Sequence, residues 1–546
     1  MLRLTLAKRT ALIFVLAVAA FYLYGLGQMP LIGPDEPRYA EVAREMNVRG
    51  DMVTPTLGDH TWFEKPALLY WMMIGSYRLF GVSEWAARLG PALCGLFTIY
   101  LIYWMGRRVE SKAEDEESAS GVGLWSGLAF ASSAGAIGFS RSATFDIVLT
   151  LTLTLALVSF FISEIETDGS KRRLWLAGFY VAVGASLLAK GLVGIVIPFA
   201  VLAVYYALRR KWPDKRMLVS VVWGIPLAVA VAALWYAPVI ARHGWAFINE
   251  FIIQHHFARF VSNKYHHPQP FYFYVPIIIL LCLPWAAFLL AGLFRTRRWR
   301  WREESVESKF RIYTLAWLIA PVIFFSFSGS KLPGYVLPSL PGAAFLIGER
   351  LTRFVRDGEG KTTIRLTGLI LIALAVSGAI YATRISGVTM LCALVVAAPA
   401  VLIGVLVIVL KQKRALRVEL MCSAMFISIA LVLNCAINPL VGRESVRDLM
   451  QTAAARGYTT TPVFYMLASE RTAEFYAGGR LGYQPDGEPF RFDGADEVAD
   501  AARARGGTAL VLIPTEWEKH LTDYLRIETE KIGDNGVLSL FAIRVR

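Results

Sequence analysis

The sequence predicts a polytopic α-helical membrane protein with a small α/β domain at its C-terminal end. Three observations carry that prediction. Hydrophobic residues make up 56% of the 546 residues and charged residues only 18%, whereas soluble domains run at roughly 45–50% apolar. Apolar runs such as Ala11–Leu26, Ile147–Phe161 and Leu391–Leu410 recur through residues 1–440 with few charges inside them, and runs near ~20 residues are long enough to cross a bilayer core as helices. Beyond that point the pattern changes to short strand-like and helix-like segments. A soluble globular protein and a disordered chain are excluded. So is a porin-type barrel, whose strands would alternate apolar and polar residues.

In chain order, Arg3, Lys8 and Arg9 precede the first apolar run, and no small-residue cleavage site follows Gly25–Met29, so this segment reads as a retained span. About thirteen spans are expected, over residues 10–27, 86–106, 121–139, 144–162, 173–189, 191–208, 217–240, 271–294, 312–328, 334–349, 366–383, 388–410 and 418–438. Together they make a membrane domain of residues 1–439. Alternate loops carry 30 of the 56 basic residues: the N-terminus and the loops around Arg107, Lys171, Arg209, Arg295, Arg350 and Lys411. The positive-inside rule places these in the cytoplasm and puts loops 28–85 and 241–270 outside. The net charge of +14 is thus topological, not a nucleic-acid footprint. All five cysteines sit inside apolar runs and read as small core residues, with no disulfide framework expected.

The tail, 440–546, reads as an outer α/β domain. Pro462–Leu467, Thr508–Pro514 and Gly536–Val545 are its strands; Ser445–Arg456, Glu470–Tyr476 and Ala495–Arg505 are its helices. It has no Gly-rich phosphate loop and no ligand cluster at metal spacing, so no chemistry is assigned to it.

Candidate chemistry concentrates in the outer loops. Tyr39, Val42, Ala43 and Met46 recur at helical spacing, predicting an amphipathic helix along the membrane surface. Asp35 stands at its start, either as an N-cap or as a functional carboxylate. Glu64 and Lys65, between aromatics and proline, are a surface ion pair or part of a site. Asp146 lies at the outer end of a span, where a carboxylate is costly and faces a cavity or a partner. Five of the seven histidines cluster between His243 and His267, around Arg259. Lys331 and Tyr335 lie four apart, a cation beside a phenol that suits phosphate oxygens, unless the lysine merely snorkels.

The motifs Asp35-Glu-x-Arg38-Tyr39-Ala-Glu41, Phe63-Glu64-Lys65-Pro66 and Lys331-Leu-Pro-x-Tyr335-x-Leu-Pro together resemble the lipid A aminoarabinose transferases. These are GT-C membrane glycosyltransferases related to the protein O-mannosyltransferases. The resemblance implies a GT-C fold in the bacterial inner membrane. It also implies transfer of 4-amino-4-deoxy-L-arabinose from undecaprenyl phosphate to a lipid A phosphate at the periplasmic face, lowering lipopolysaccharide charge and conferring polymyxin resistance. Partners would be the carrier-linked donor, lipid A and membrane lipids, with no nucleic acid. A polyprenyl-phosphate sugar is already activated, so no nucleotide cofactor is needed. Lys65, Arg259, Lys331 and Tyr335 are then candidates for the phosphate cradle, with Arg38 on a donor or acceptor phosphate and Tyr39 beside it. Asp35 and Asp146 are the candidate carboxylates at the anomeric carbon. Glu64 and His256 would suit one divalent ion, Zn²⁺ or Mn²⁺. A related enzyme with another sugar or a hydroxyl acceptor is the alternative. A transporter carries less weight, since no internal repeat is seen and the notable charges sit near one face.

Overall fold

Each apolar run expected to span is helical in the computed structural model, which describes residues 6–113, 121–258, 269–385, 387–484 and 487–546, without the side chains of 6–14 and 256–258. Eleven runs are helical without a break inside the run: Leu6–Leu23, Glu84–Glu110, Phe145–Ile165, Gly169–Lys190, Val193–Arg209, Lys215–Phe247, Val306–Ser326, Leu340–Asp357, Lys361–Ala382, Met390–Val409 and Arg414–Cys435, with Lys215–Phe247 kinked only beyond its run, at Gly244. Two are broken. Val122–Ala131 and Ala134–Ser140 meet at 59°, and the apolar stretches Phe271–Leu281 and Ala286–Arg298 at 118°. Ser133 caps the second half of the first pair by accepting from the Ala136 amide at 3.4 Å. Pro284, which has no N–H to donate, lies in the break of the second. Among the described residues seven helices are long and apolar enough to cross a membrane, or nine with each bent pair taken as one span.

Burial sorts these helices into layers. Phe145–Ile165 has 83% of its apolar window buried, so it is the centre of the bundle. The last three helices bury only 22%, 39% and 33% of theirs, leaving wide apolar faces for lipid. The basic loops meet one another at one end, where ion pairs join Lys112 to Glu166 (3.4 Å), Arg172 to Asp214 (2.6 Å), Arg209 to Glu304 (2.7 Å) and Arg311 to Glu349 (2.9 Å). Loops that the charge count assigned to one face therefore do share a face.

At the other end the juxtamembrane helix forms over Glu36–Arg49, with proline in its first turn and Gly50 closing it at φ 68°. Tyr39, Val42, Ala43 and Met46 are all buried. Its polar side is buried as well, with Glu41 only 1% exposed, so it does not lie open on a membrane surface. A hairpin of β1 (Thr56–Leu57) and β2 (His60–Thr61) covers part of that side. Gly58 and Asp59 both take positive φ at its two-residue turn, and Glu45 accepts from Thr56 Oγ1 (2.5 Å) and the Gly58 amide (2.7 Å).

The C-terminal domain covers the rest. Its strands are β3 (Val463–Met466), β4 (Arg491–Phe492), β5 (Thr508–Pro514), β6 (Ile527–Asp534) and β7 (Leu538–Val545), in the order β4-β3-β5-β7-β6. β3 runs parallel to β4 and β5; β7 is antiparallel to β5 and β6. Alternation gives the sheet two apolar faces. Val463, Tyr465, Leu510, Leu512 and Leu540 pack on one, against the Arg447–Ala455 helix. Phe464, Met466, Val511, Ile513 and Phe541 pack on the other, against Ala495–Arg503. The domain docks through Tyr476, whose hydroxyl accepts from the Leu31 amide (2.8 Å) and donates to Glu84 (3.1 Å).

Buried Glu36 and Arg88 brace the same region. Arg88 donates to Glu36 and to the carbonyls of Leu26, Met29 and Pro30. Glu36 also accepts from the Ala143 amide at 2.5 Å. Glu36 thus ties the segment that carries Asp35 to the turn just before the helix that carries Asp146. Of the cysteines, Cys94, Cys282 and Cys422 are buried as expected. Cys392 and Cys435 are not, and their sulfurs lie 2.7 Å apart.

Candidate active site

The bracing puts both acids into one cavity. A space of about 130 Å³ opens between the juxtamembrane helix, the start of Phe145–Ile165 and the end of Gly169–Lys190. Asp35, Tyr39, Glu64, Lys65, Asp146, Lys190, His255 and Tyr335 supply most of its polar lining. Three acids and two lysines therefore share a small cavity at the end of the bundle opposite the basic loops.

Asp35 immediately precedes the juxtamembrane helix, yet its carboxylate makes no capping bond. It accepts from the Tyr39 hydroxyl at 3.2 Å, one turn on. The capping alternative for Asp35 is therefore removed by the geometry. Asp146 lies in the first turn of Phe145–Ile165, where the helix dipole favours an anion. Lys190 is the last residue of its own helix, where the dipole favours a cation. Its ammonium donates to Asp146 and sits 5.0 Å from the centroid of the Tyr335 ring. Gly334 closes on Asp146 from the other side: a Cβ there would lie 2.6 Å from Asp146 Oδ2 and 2.8 Å from the Phe139 ring. Lys65 donates to Glu64 at 2.7 Å, and both side chains are nearly buried. Thr144 Oγ1, in the cavity wall, is buried with no hydrogen-bond partner among the described residues.

Asp35, Tyr39, Glu64, Lys65, Asp146 and Tyr335 were all candidates from sequence, and the fold brings them together. Two others point elsewhere. Arg38 lies 4.9 Å over the Trp62 ring and 3.5 Å from Glu474 of the C-terminal domain, outside the cavity lining. Lys331 is buried and donates to the Ser328 carbonyl at 2.6 Å. Leu332 is extended and Pro333 opens a 3₁₀ turn, so residues 331 and 335 never share a helix. Arg259 and the His256 side chain lie outside the described residues, whereas His255 lines the cavity. Lys190 and Thr144 were missed. Lys190 had a visible signal, being a lone cation between the apolar stretches Leu174–Ala189 and Leu192–Ala207.

Carboxylate and imidazole are donors that Zn²⁺ or Mn²⁺ accepts. Among the described residues no group of three or more such side chains meets. Glu64 and one histidine would leave the remaining positions to water or substrate.

Fold and cavity together define a multi-pass membrane protein whose acids and lysines converge at one end of the helical bundle, under a small α/β cap. The chain belongs to the dolichyl-phosphate-mannose-protein mannosyltransferase family, whose model matches residues 7–300. An undecaprenyl phosphate-α-4-amino-4-deoxy-L-arabinose arabinosyl transferase of Erwinia tasmaniensis is 32% identical over 378 residues, 68% of this chain and 64% of that one. The enzyme of the same name from Aeromonas hydrophila is 34% identical over 345 residues, 62% of this chain and 59% of that one. The matched part thus spans about three fifths of those relatives. The crystal structure of ArnT from Cupriavidus metallidurans bound to undecaprenyl phosphate superposes with a TM-score of 0.77, covering 98% of each chain at 24% identity. Its apo form gives 0.76 at 23% identity. That likeness gives the chain the GT-C fold.

Proposed function

We propose that the protein transfers 4-amino-4-deoxy-L-arabinose from undecaprenyl phosphate to a phosphate of lipid A, at the periplasmic face of the bacterial inner membrane. The N-terminus would be cytoplasmic, the C-terminal domain periplasmic. The convergence of Asp35, Asp146, Lys65, Lys190 and Tyr335 in one cavity carries this reading. The names of the relatives support the sugar and the carrier, and the resemblance of the sequence motifs supports the acceptor class.

In this reading a lipid A phosphate oxygen attacks the anomeric carbon, and the bond to the carrier phosphate breaks with its electron pair. The developing phosphate charge is met by Lys65 and the Tyr335 hydroxyl, with Arg259 as a further phosphate contact; Arg38 and Lys331, turned to Glu474 and to the Ser328 carbonyl, take no part. Such electrostatic stabilisation is usually the largest single contribution. Asp35 and Asp146 flank the sugar, facing its ammonium or the positive charge that grows at the anomeric carbon. Lys190 holds the Asp146 carboxylate in place, and the Thr144 hydroxyl is available to a sugar hydroxyl. An anionic phosphate acceptor needs no strong base. A hydroxyl acceptor, as in the mannosyltransferase family, would require Asp35 to take the proton; that is the second reading.

Glu64 with His256 would hold a divalent ion, whose chemistry would be to draw phosphate oxygens into position. Elemental analysis of chelator-free protein should find stoichiometric metal that Glu64→Gln and His256→Ala each lower. Wild type without metal, its activity indifferent to chelators, refutes the ion. The function itself is tested by mass spectrometry of lipid A from cells with and without the gene. Loss of the aminoarabinose adduct is expected; an unchanged profile moves the assignment to the second reading. Purified protein that moves lipid but transfers no sugar would make it a transporter.

A further inference from the structure

Cys392 lies in the first turn of Met390–Val409, and Cys435 is the last residue of Arg414–Cys435. These antiparallel helices therefore present both thiols at one end of the bundle. It is the end that holds the cavity: Asn434, next to Cys435, accepts from Tyr24 at 2.9 Å, and Gly387, before Cys392, packs on Pro439. The two sulfurs are 2.7 Å apart, well inside the distance that two sulfurs keep without a bond between them. Neither thiol is sealed in the core, unlike Cys94, Cys282 and Cys422. Forty-three positions separate the pair, so neighbouring along the chain does not bring them together.

We propose that Cys392 and Cys435 form a disulfide that staples the outer ends of the last two spans. The proposal rests on the orientation given above, because only the outer side of that membrane is oxidising. The chemistry is thiol–disulfide exchange with an oxidised protein dithiol of that compartment. Cys435, the exposed member, attacks as thiolate; one partner sulfur leaves and a mixed disulfide forms. The Cys392 thiolate then attacks Cys435 Sγ and releases the partner as a dithiol. Two thiol protons are lost, two electrons pass to the partner, and one S–S bond forms. The bond sits at the root of Ile437–Val441, the short helix from which the C-terminal domain is hung. It would fix the point from which Tyr476 reaches Leu31 and Glu84.

The full-length protein, alkylated on lysis without reductant and digested, should yield one linked peptide pair containing residues 392 and 435, which separates on reduction. Cys392→Ser and Cys435→Ser should lower the melting midpoint equally, the double variant no further, and reductant should bring wild type to the same value. Both cysteines alkylated before reduction, or additive losses in the double variant, overturn the proposal. Orientation is read separately from Thr522→Cys in the double-serine background. Labelling of intact cells by a membrane-impermeant maleimide places the C-terminal domain outside. Its absence, with labelling after lysis, overturns the orientation and with it the stated oxidant.

Discussion

Replacing Lys190 with methionine removes an ammonium while keeping most of the side chain's volume, and so isolates its charge. In the wild type that charge pairs with Asp146, and each side chain is only 17% exposed. A charge-assisted hydrogen bond of this kind contributes about 1.5–3 kcal/mol. With the bond gone Asp146 is no longer aimed into the cavity, and that energy is missing from the transition state. At ~1.36 kcal/mol per decade, kcat falls roughly 10- to 150-fold, with the donor KM close to wild type. Asp146→Asn should do at least as much, and the double variant should be no worse than Asp146→Asn alone, since both act through one carboxylate. The assay is transfer from carrier-linked aminoarabinose to lipid A in detergent, with kcat and KM measured for each corner of the cycle. Multiplicative losses, or a raised donor KM with kcat intact, would refute the reasoning and make Lys190 a phosphate ligand instead.

Asp35→Asn should lower turnover by at least ~100-fold, the scale of a lost acid–base or electrostatic group, while the melting midpoint barely moves, because Asp35 makes no capping bond; a stability loss with activity retained would reverse that assignment. Gly334→Ala should push the Asp146 carboxylate aside, since its Cβ would lie 2.6 Å from Oδ2, and cost about 100-fold in kcat; wild-type kinetics would show that the contact yields without moving Asp146. Burial pushes the Glu41 carboxyl up from 4.5 to about 7, partly opposed by Arg44. Because the folded value is the higher one, the protonated form's contribution to stability is complete below pH 4.5 and lost as pH rises through 7, about 3 kcal/mol in all. Thermal unfolding between pH 5 and 8 should show that decline in wild type and a flatter profile in Glu41→Gln; parallel profiles would exclude Glu41 as the source.

Membrane architecture is written in one dimension, as runs of apolar residues and the charges between them, and that part of the fold was legible. So were the strands of the cap that are buried on both faces, such as β5, all of whose inner residues are apolar. The edge strand β6 was not, because Ile527–Asp534 alternates buried residues with charged exposed ones and carries no apolar run. In the site, Asp35, Lys65, Asp146 and Tyr335 announce themselves through motif or through depth. Lys190 announces itself only as a lone cation between two apolar stretches; its partner depends on which end of which helix faces it, and nothing local encodes that. Arg38 and Lys331 err the other way. Charge and motif mark them, but the partners that turn them aside are Glu474, from the far end of the sequence, and the Ser328 carbonyl, just past the end of the helix Val306–Ser326.

The burial of the juxtamembrane helix by the C-terminal domain sets an order of events during synthesis. Glu41 is made some 430 residues before Glu474, whose charge it feels, and before Tyr483, which packs on Gly58 in the same cover. At about 5–20 residues per second the helix waits roughly 20–90 s for its lid. Throughout that interval its glutamates are hydrated, and the loop bearing Asp35 is held by Arg88 and the Ala143 amide but not yet by Tyr476. The cavity, lined among the described residues only by residues 35 to 335, can thus be complete in a nascent chain before the polar side of the juxtamembrane helix is covered. Completion of the tail is the step that desolvates Glu41 and raises its carboxyl, so the pH response ascribed to Glu41 belongs to the finished chain alone.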